Sequence, residues 1–370
     1  MAERLLFLGE YIGFAGGIER YAYQTALALR DAGIEVDYEG SVPARGENEF
    51  RKAFRRVFAP GKADGEYSLA ILHKLGPFPV LKKLRGRFGE RLIFWAHDHD
   101  LYCMRRHYYT PFGRVNCHRS CSFLRCAICS RLSSPRGWKR SPFASIRLLN
   151  ELRRHRAVVL SHFMYRNLLK NGLAPENISL IPPFADATEP RTDFMPDGVL
   201  RLLFLGQLIR GKGCDLLLDA ASKLRVPFRL TIAGDGSDRP MLEALAAEKG
   251  IADRVEFTGW VSAPETYLNR ADLLIFPTRW QEPFGLGGLE ALAHGLPVAA
   301  FRLGGVEDWL PDSAGYAVPE GDTAALARAI ESHTRDAAIR MSANAVRFVK
   351  QNFSREHFLN SVRALMENVK

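Results

Sequence analysis

The sequence predicts an α/β protein of two domains, each a parallel sheet with helices on both faces. Three observations point there. The chain has 370 residues, and roughly 100–200 residues per domain makes two the natural count. Short apolar runs alternate with stretches of helical period, and alternating β and α units close into parallel sheets. A Pro-, Asp- and Thr-rich stretch from Pro182 to Gly198 separates two such series and reads as a linker. The boundaries drawn from this are 1–195, 196–354 and a last helix at 355–370.

The elements follow in order. Arg4–Gly9 is a buried first strand, too short for a secretory leader. Gly13 to Gly17 is a turn, and Ile18–Ala32 is a helix stopped by Gly33. Ile34–Tyr38, Tyr67–Leu72, Arg91–Ala96 and Arg156–Ser161 continue as strands, with Pro79–Phe88 helical. Leu101 to about Arg140 breaks the pattern: it is rich in Cys, Arg, Ser and Pro and has no clear period, the mark of a functional or mobile insert. The second series has strands at Leu200–Leu205, Arg229–Ala233, Val255–Phe257, Leu273–Phe276 and Pro297–Phe301. Its closing helices are Ala324–Glu331, Ala337–Gln351 and Arg355–Val369.

Composition excludes whole classes. With 47% hydrophobic and 25% charged residues, the chain is neither disordered, collagenous nor a coiled coil. No run approaches the ~20 apolar residues of a membrane-spanning helix. The expected location is the cytoplasm, where the six cysteines would be reduced or metal-bound. The net charge of +10 is uneven: residues 1–195 carry +12 and residues 196–370 carry −2. Within 101–170 there are 15 basic residues against one acid, Glu151, which points to an anionic partner.

Ligands of open α/β sheets bind beyond the carboxyl ends of the strands, so the informative loops are those that follow strands. Gly16-Gly17 opens the first long helix, where amides can approach a phosphate. Gly206 to Gly213 places Arg210 and Lys212 before a helix, a cationic site for a diphosphate. Gly234-Asp235-Gly236 and the Phe257–Val261 stretch bring glycine to strand ends, where backbone can approach a flat base. Most specific is Glu282 to Glu290. Here Pro283 and the glycines hold a loop, and the amides of Phe284, Gly285 and Leu286 head a helix. Glu290, one turn in, can accept both hydroxyls of a ribose.

Taken together, these residues resemble family 4 of the retaining glycosyltransferases, and the likeness covers almost the whole chain. The family's E-x7-E element is similar to Glu282–Glu290, its G-R-L-x-x-x-K-G loop to Gly206–Gly213, and its N-terminal glycine loop to Gly16–Arg20. The Gly295–Val298 and Gly304-Gly305 stretches resemble the family's closing pattern. The resemblance implies the GT-B fold, two Rossmann-like doubly wound domains facing across a cleft, with the last helix crossing back to the first domain. It implies a nucleotide-diphosphate sugar, UDP- or GDP-linked, as donor. Lys212 would neutralise the leaving diphosphate, Glu290 would hold the ribose, and Glu282 with the amides of Phe284 to Leu286 would hold the sugar. Trp260 and Val261 would contact the base, Gly17 beside Gly16 would meet the distal phosphate, and Gly234 would line the donor loop. His97, ending a strand, matches a family position near the donor sugar and acceptor. The implied catalytic residues are His97, Glu282 and Lys212. The chain departs at Gln207, where the family usually has Arg; Gln cannot neutralise a diphosphate, and Arg210 is the nearest substitute.

The implied chemistry is metal-independent transfer with retention, since preorganised cations and N–H dipoles can meet the leaving-group charge. The implied product class is an envelope polysaccharide or glycolipid, made at the inner face of a membrane from a glycan or lipid-linked anionic acceptor. No nucleic acid is expected among the partners.

The insert carries its own expectation. Cys103, Cys117, Cys121, Cys126 and Cys129 fall within 27 residues, and Cys126-x2-Cys129 has metal-knuckle spacing. Four of the five are expected to hold structural Zn²⁺, an Fe–S cluster being the alternative. Arg105, Arg106, Arg114, Arg119, Arg125, Arg131, Arg136, Lys139 and Arg140 would form a cationic rim suited to an anionic acceptor or membrane surface. Tyr102, Tyr108, Tyr109, Phe112, Phe123 and Trp138 interleave with them, suited to an interfacial contact or to stacking on sugar rings. Two other functions compete: a nucleic-acid binder on a glycosyltransferase-like scaffold that uses the basic Cys-rich module, and an inactive sugar-nucleotide sensor, for which Gln207 speaks.

Overall fold

The computed structural model describes residues 3–74, 78–105, 107–111, 115–132 and 141–369. The chain divides into two compact units, Met1–Pro183 with Arg355–Lys370, and Phe184–Ser354.

In the first unit the strands are β1 (Arg4–Leu8), β2 (Tyr11–Ile12), β3 (Glu35–Glu39), β4 (Val42–Pro43), β5 (Val57–Phe58), β6 (Leu69–Leu72), β7 (Leu92–Ala96), β8 (Arg156–Val159) and β9 (Ile178–Leu180). The helices are α1 (Gly17–Asp31), α2 (Glu47–Arg51), α3 (Phe78–Phe88), α4 (Phe123–Leu132), α5 (Pro142–Leu152) and α6 (His162–Lys170). Seven strands form one parallel sheet in the order β5-β3-β1-β6-β7-β8-β9, while β2 and β4 pair separately. Continuous apolar strands such as Leu92–Ala96, buried throughout, are what a sheet covered on both faces requires.

The second unit has β10 (Leu200–Leu205), β11 (Phe228–Ala233), β12 (Val255–Gly259), β13 (Leu273–Phe276), β14 (Val298–Phe301) and β15 (Gly315–Val318). Its helices are α7 (Cys214–Ala221), α8 (Arg239–Glu248), α9 (Glu265–Leu268), α10 (Leu286–Ala293), α11 (Val306–Trp309), α12 (Thr323–Glu331) and α13 (Arg335–Asn352). The parallel order is β12-β11-β10-β13-β14-β15, the 3-2-1-4-5-6 order of a doubly wound nucleotide-binding sheet. The last helix, α14 (Arg355–Glu367), belongs to the first unit, where Arg355 pairs with Asp31 at 3.1 Å and Phe358 packs near Trp95.

Two features differ from the sequence reading. Residues 184–195 go with the second unit because their backbone is tied there: Thr188 N–H donates to the Ala293 carbonyl, Arg191 N–H to Ser342 Oγ, and Met195 N–H to the buried Asp272 carboxylate at 2.9 Å. The insert is not wholly irregular. It contains α4, which packs on α5. Among the described residues no helix is long and apolar enough to cross a membrane.

Candidate functional site

A doubly wound sheet receives its ligand where the strand order reverses. In the second unit that point lies between β10 and β13, and the loops after these strands bring together Lys212 and Glu282. Lys212 Nζ donates to Glu282 Oε1 at 2.7 Å, and both side chains are half-buried. The Thr278 hydroxyl stands 3.1 Å from the same carboxylate oxygen and accepts the Trp280 N–H at 3.2 Å. The pair joins residues 70 positions apart.

The loops after β10, β11 and β12 are joined by their own backbones. Gly206 N–H donates to the Ala233 carbonyl, Leu208 N–H to Asp235, Asp238 N–H to Leu208, and Gly234 N–H to Gly259, all within 2.8–3.0 Å. Glycine is what permits this closeness. A Cβ on Gly234 would stand 1.8 Å from the Gly206 carbonyl oxygen, and one on Gly213 1.8 Å from that of Pro277. Gln207 and Arg210 sit exposed on this frame. Arg210 and Lys212 do not head an α-helix, as expected from sequence; they form a single 3-10 turn, and α7 starts at Cys214 after Gly213 with φ +70°.

Arg279 was missed from sequence. Its N–H donates to the Gly211 carbonyl at 2.9 Å, and its guanidinium reaches the Arg210 carbonyl at 3.2 Å and grips Asp215 with two bonds, Nη2 to Oδ2 at 2.6 Å. It lies three residues beyond β13, so the rule that finds strand-end loops also reaches it.

The Glu282–Glu290 element is held from behind. Trp309, fully buried, donates its Nε1–H to the Phe284 carbonyl at 2.6 Å. Gly305 N–H donates to the Glu282 carbonyl at 2.7 Å, and a Cβ on Gly304 would lie 2.5 Å from that same oxygen. Gly285, at φ +103°, caps α10. The leading amides of α10 mark its positive end, and within its first turn the Gly288 N–H donates to the Gly285 carbonyl at 3.0 Å. Glu290 is half-buried on the fifth residue of that helix. Trp260 is exposed just beyond β12, with half-buried Val261 next to it.

In the first unit, Gly16 caps α1 and Gly17 begins it, both exposed. Sequence reasoning overlooked Glu19, whose buried carboxylate folds back to accept the Gly16 N–H. Burial raises its pKa above the ordinary glutamate value, against those hydrogen bonds. His97 follows β7 and is hydrogen-bonded through Nε2 to His73 Nδ1 at 2.8 Å; the two rings are nearly parallel. His73 follows β6, the strand next to β7, so the strand-end rule would have found it too.

Burial pushes His97 down to about 3 and His73 well below its ordinary value, the latter also through His97. Both imidazoles are therefore neutral in the folded chain, whereas unfolded they protonate near about 6.5. Below that pH the unfolded chain binds more protons, so stability is complete above it and falls as pH drops toward the folded values. His333, pushed to about 4 by burial, adds in the same direction. The melting temperature is expected to be flat above about pH 7 and to decline between about pH 6.5 and 4. His73→Gln should shallow the slope, as scanning calorimetry across that range would read; an unchanged slope would contradict the assignment.

The insert places its residues differently from expectation. Cys103, Cys117, Cys121, Cys126 and Cys129 share one neighbourhood around buried Tyr108. Among the described residues, however, no three His, Cys, Asp or Glu side chains come together as a metal site. The Cys121 and Cys126 thiols instead hydrogen-bond each other, which raises the first and lowers the second, and Cys126 Sγ accepts the Ser122 N–H at 3.3 Å. Tyr102 and Tyr108 are core residues, not a stacking surface: Tyr102 OH lies 2.6 Å from His99 Nδ1 and Tyr108 OH donates to the Arg119 carbonyl. Of the expected cationic rim, Arg119, Arg125 and Arg131 are exposed and Arg105 is half-buried. Arg106, Arg114, Arg136, Lys139, Arg140, Phe112 and Trp138 lie outside the described residues.

Comparison with known proteins matches this geometry. A family model described as glycosyltransferase family 4 matches residues 15–189, and one described as glycosyl transferases group 1 matches residues 200–336. The lipopolysaccharide core biosynthesis glycosyltransferase LpsE of Rhizobium meliloti is 32% identical over 140 residues, 38% of this chain and 41% of that protein. The chain's match spans about two fifths of the length of the curated relatives. HepE of Anabaena, solved with UDP-glucose, superposes with a TM-score of 0.75 at 17% identity over 99% of both chains. Sucrose-phosphate synthase from Thermosynechococcus elongatus superposes at 0.73 and 20% identity, also over 99% of both. These structures share the fold, so the expected GT-B class of two Rossmann-like units holds. With family models over both halves and this strand order in each unit, the chain belongs to family 4 of the glycosyltransferases.

Proposed function

We propose that the protein transfers a sugar, with retention, from a UDP- or GDP-sugar to a glycan or lipid-linked acceptor in envelope polysaccharide or glycolipid synthesis. The observation that carries this reading is the Lys212–Glu282 pair at the point where the strand order reverses, with Glu290 one helical turn beyond. The UDP-glucose complex of HepE and the name of LpsE support a nucleotide-sugar donor and an envelope product.

In this reading the leaving diphosphate is met by Lys212 and the leading amides of α10, which place positive charge where negative charge develops. Arg210 stands in for the cation absent at Gln207. Glu290 accepts the ribose hydroxyls, Glu282 the sugar hydroxyls, and Trp260 with Val261 contacts the base. The bond from the anomeric carbon to the phosphate oxygen breaks, and the bond to the acceptor oxygen forms on the same face. The acceptor proton leaves with the phosphate. Taken by itself, the first unit presents the exposed Gly16-Gly17 turn, whose amides suit an anionic group, and neutral His97, which can hydrogen-bond without adding charge.

The test is thermal unfolding with UDP, GDP, ADP and TDP. One nucleotide at ~100 times its dissociation constant is expected to add about 2.7 kcal/mol of stability, a rise of roughly 5–10 °C for a unit of this size. Glu290→Ala should abolish the rise. No shift with any nucleotide would sink the reading.

A further inference from the structure

We propose that α4, with Phe143 beside it, is the surface by which the first unit docks on an anionic lipid bilayer. The inference deepens the reading of a lipid-linked acceptor and rests on it for its biological sense, but not for its physical argument.

The helix is inside out. It buries Ala127 and Ser130, small residues that water tolerates, and exposes Leu124 (67%), Ile128 (47%) and Leu132 (60%). These three recur every fourth residue and so form one stripe along the helix. A helix built only to pack on α5 would place them the other way round. Next to the stripe, Phe123 meets Phe143 with ring centroids 4.7 Å apart, and Phe143 is 75% exposed at the head of α5. Exposed large apolar residues scattered singly need no explanation; a contiguous stripe does.

Charge decides what covers it. Arg125 and Arg131 are exposed on the same outward side. The sequence has no acid from 101 to 150, and Glu151 is already bound by Arg85 and lies near His155. A second copy of this face would bring cation against cation. Nucleic acid would use the arginines but has no place for a stripe of leucine and isoleucine, since its affinity comes from phosphates and base stacking. An apolar stripe flanked by arginine is the composition of a helix lying in the headgroup region of an anionic membrane, where Leu and Ile enter the acyl boundary and Arg meets lipid phosphate.

The experiment is flotation of the full chain with vesicles of phosphatidylcholine alone and with about one third phosphatidylglycerol. Light scattering and the melting shift with UDP, GDP, ADP and TDP are measured on the same samples. Wild type is expected to float with the anionic vesicles, and less as salt rises. Leu124→Ser/Ile128→Ser/Leu132→Ser should weaken binding more than about tenfold, and Arg125→Glu severalfold. Because all four side chains are exposed, melting temperature and the nucleotide shift should stay at wild-type values in both variants. Failure of wild type to float, or equal flotation of the triple variant, overturns the proposal while an intact nucleotide shift leaves the transferase reading standing. Flotation with no melting shift from UDP, GDP, ADP or TDP supports docking while that reading fails. A wild-type dimer that the triple variant converts to monomer, without vesicle binding in either, makes the face a contact between copies and overturns the proposal.

Discussion

Lys212→Ala is expected to lower transfer roughly 10²–10³-fold, the usual loss when a preorganised group facing developing negative charge is removed. The geometry makes the change worse than loss of one cation. Lys212 is tied to Glu282 at 2.7 Å, and the Glu282 side chain is only 13% exposed. Without the lysine, that carboxylate faces the incoming diphosphate with no compensating charge. Glu282→Gln in the Lys212→Ala background should therefore recover part of the loss, so the double variant will be less impaired than the product of the two single effects. Steady-state rates with the nucleotide-sugar identified by the melting panel would measure it. Simple multiplication would mean that the two side chains act independently, contrary to their contact.

Gly213→Ala is expected to destabilise the second unit by about 2–4 kcal/mol and to weaken nucleotide binding with it. Two costs combine. At φ +70° an alanine is strained by about 1 kcal/mol. In addition its Cβ would stand 1.8 Å from the Pro277 carbonyl oxygen, so the backbone itself must shift. Gly250→Ala separates the two, because Gly250 has φ +66° with nothing within 4 Å of a Cβ. It should show the strain alone, about 1 kcal/mol, with nucleotide binding kept. Calorimetry and titration of both variants would read this. Equal losses at the two positions would show that the contact with Pro277 carries no cost.

Much of this was legible before any coordinates. Strands such as Leu200–Leu205 and Leu273–Phe276 match the apolar runs residue for residue, because a strand buried on both faces has little freedom in composition. Glu282, Glu290 and Lys212 stood out because glycine-rich helix starts are unusual where nothing approaches the backbone. What stayed hidden was pairing at long sequence separation. Arg279 and Asp215 are 64 residues apart and His73 and His97 are 24 apart, and no local spacing encodes such contacts. Nothing local in the sequence marks Trp309 as the post behind the Phe284 carbonyl. The helix in the insert was missed for a different reason. Over only ten residues, Phe123, Leu124, Cys126, Ala127, Ile128, Cys129 and Leu132 spread round the helix, so its period is faint, and it packs on α5.

The three loops joined by backbone alone, at Gly206–Leu208, Gly234–Asp238 and Gly259, separate shape from identity. Their form depends on peptide groups and on glycines, with Asp235 Oδ1 accepting the Gly236 N–H at 2.8 Å, while Gln207 is exposed on that form. Position 207 can be exchanged without moving the scaffold, as a letter is changed in a fixed line of type. On the proposed reading, preference for one nucleotide over another can thus drift, or be engineered, at a position whose replacement leaves folding untouched.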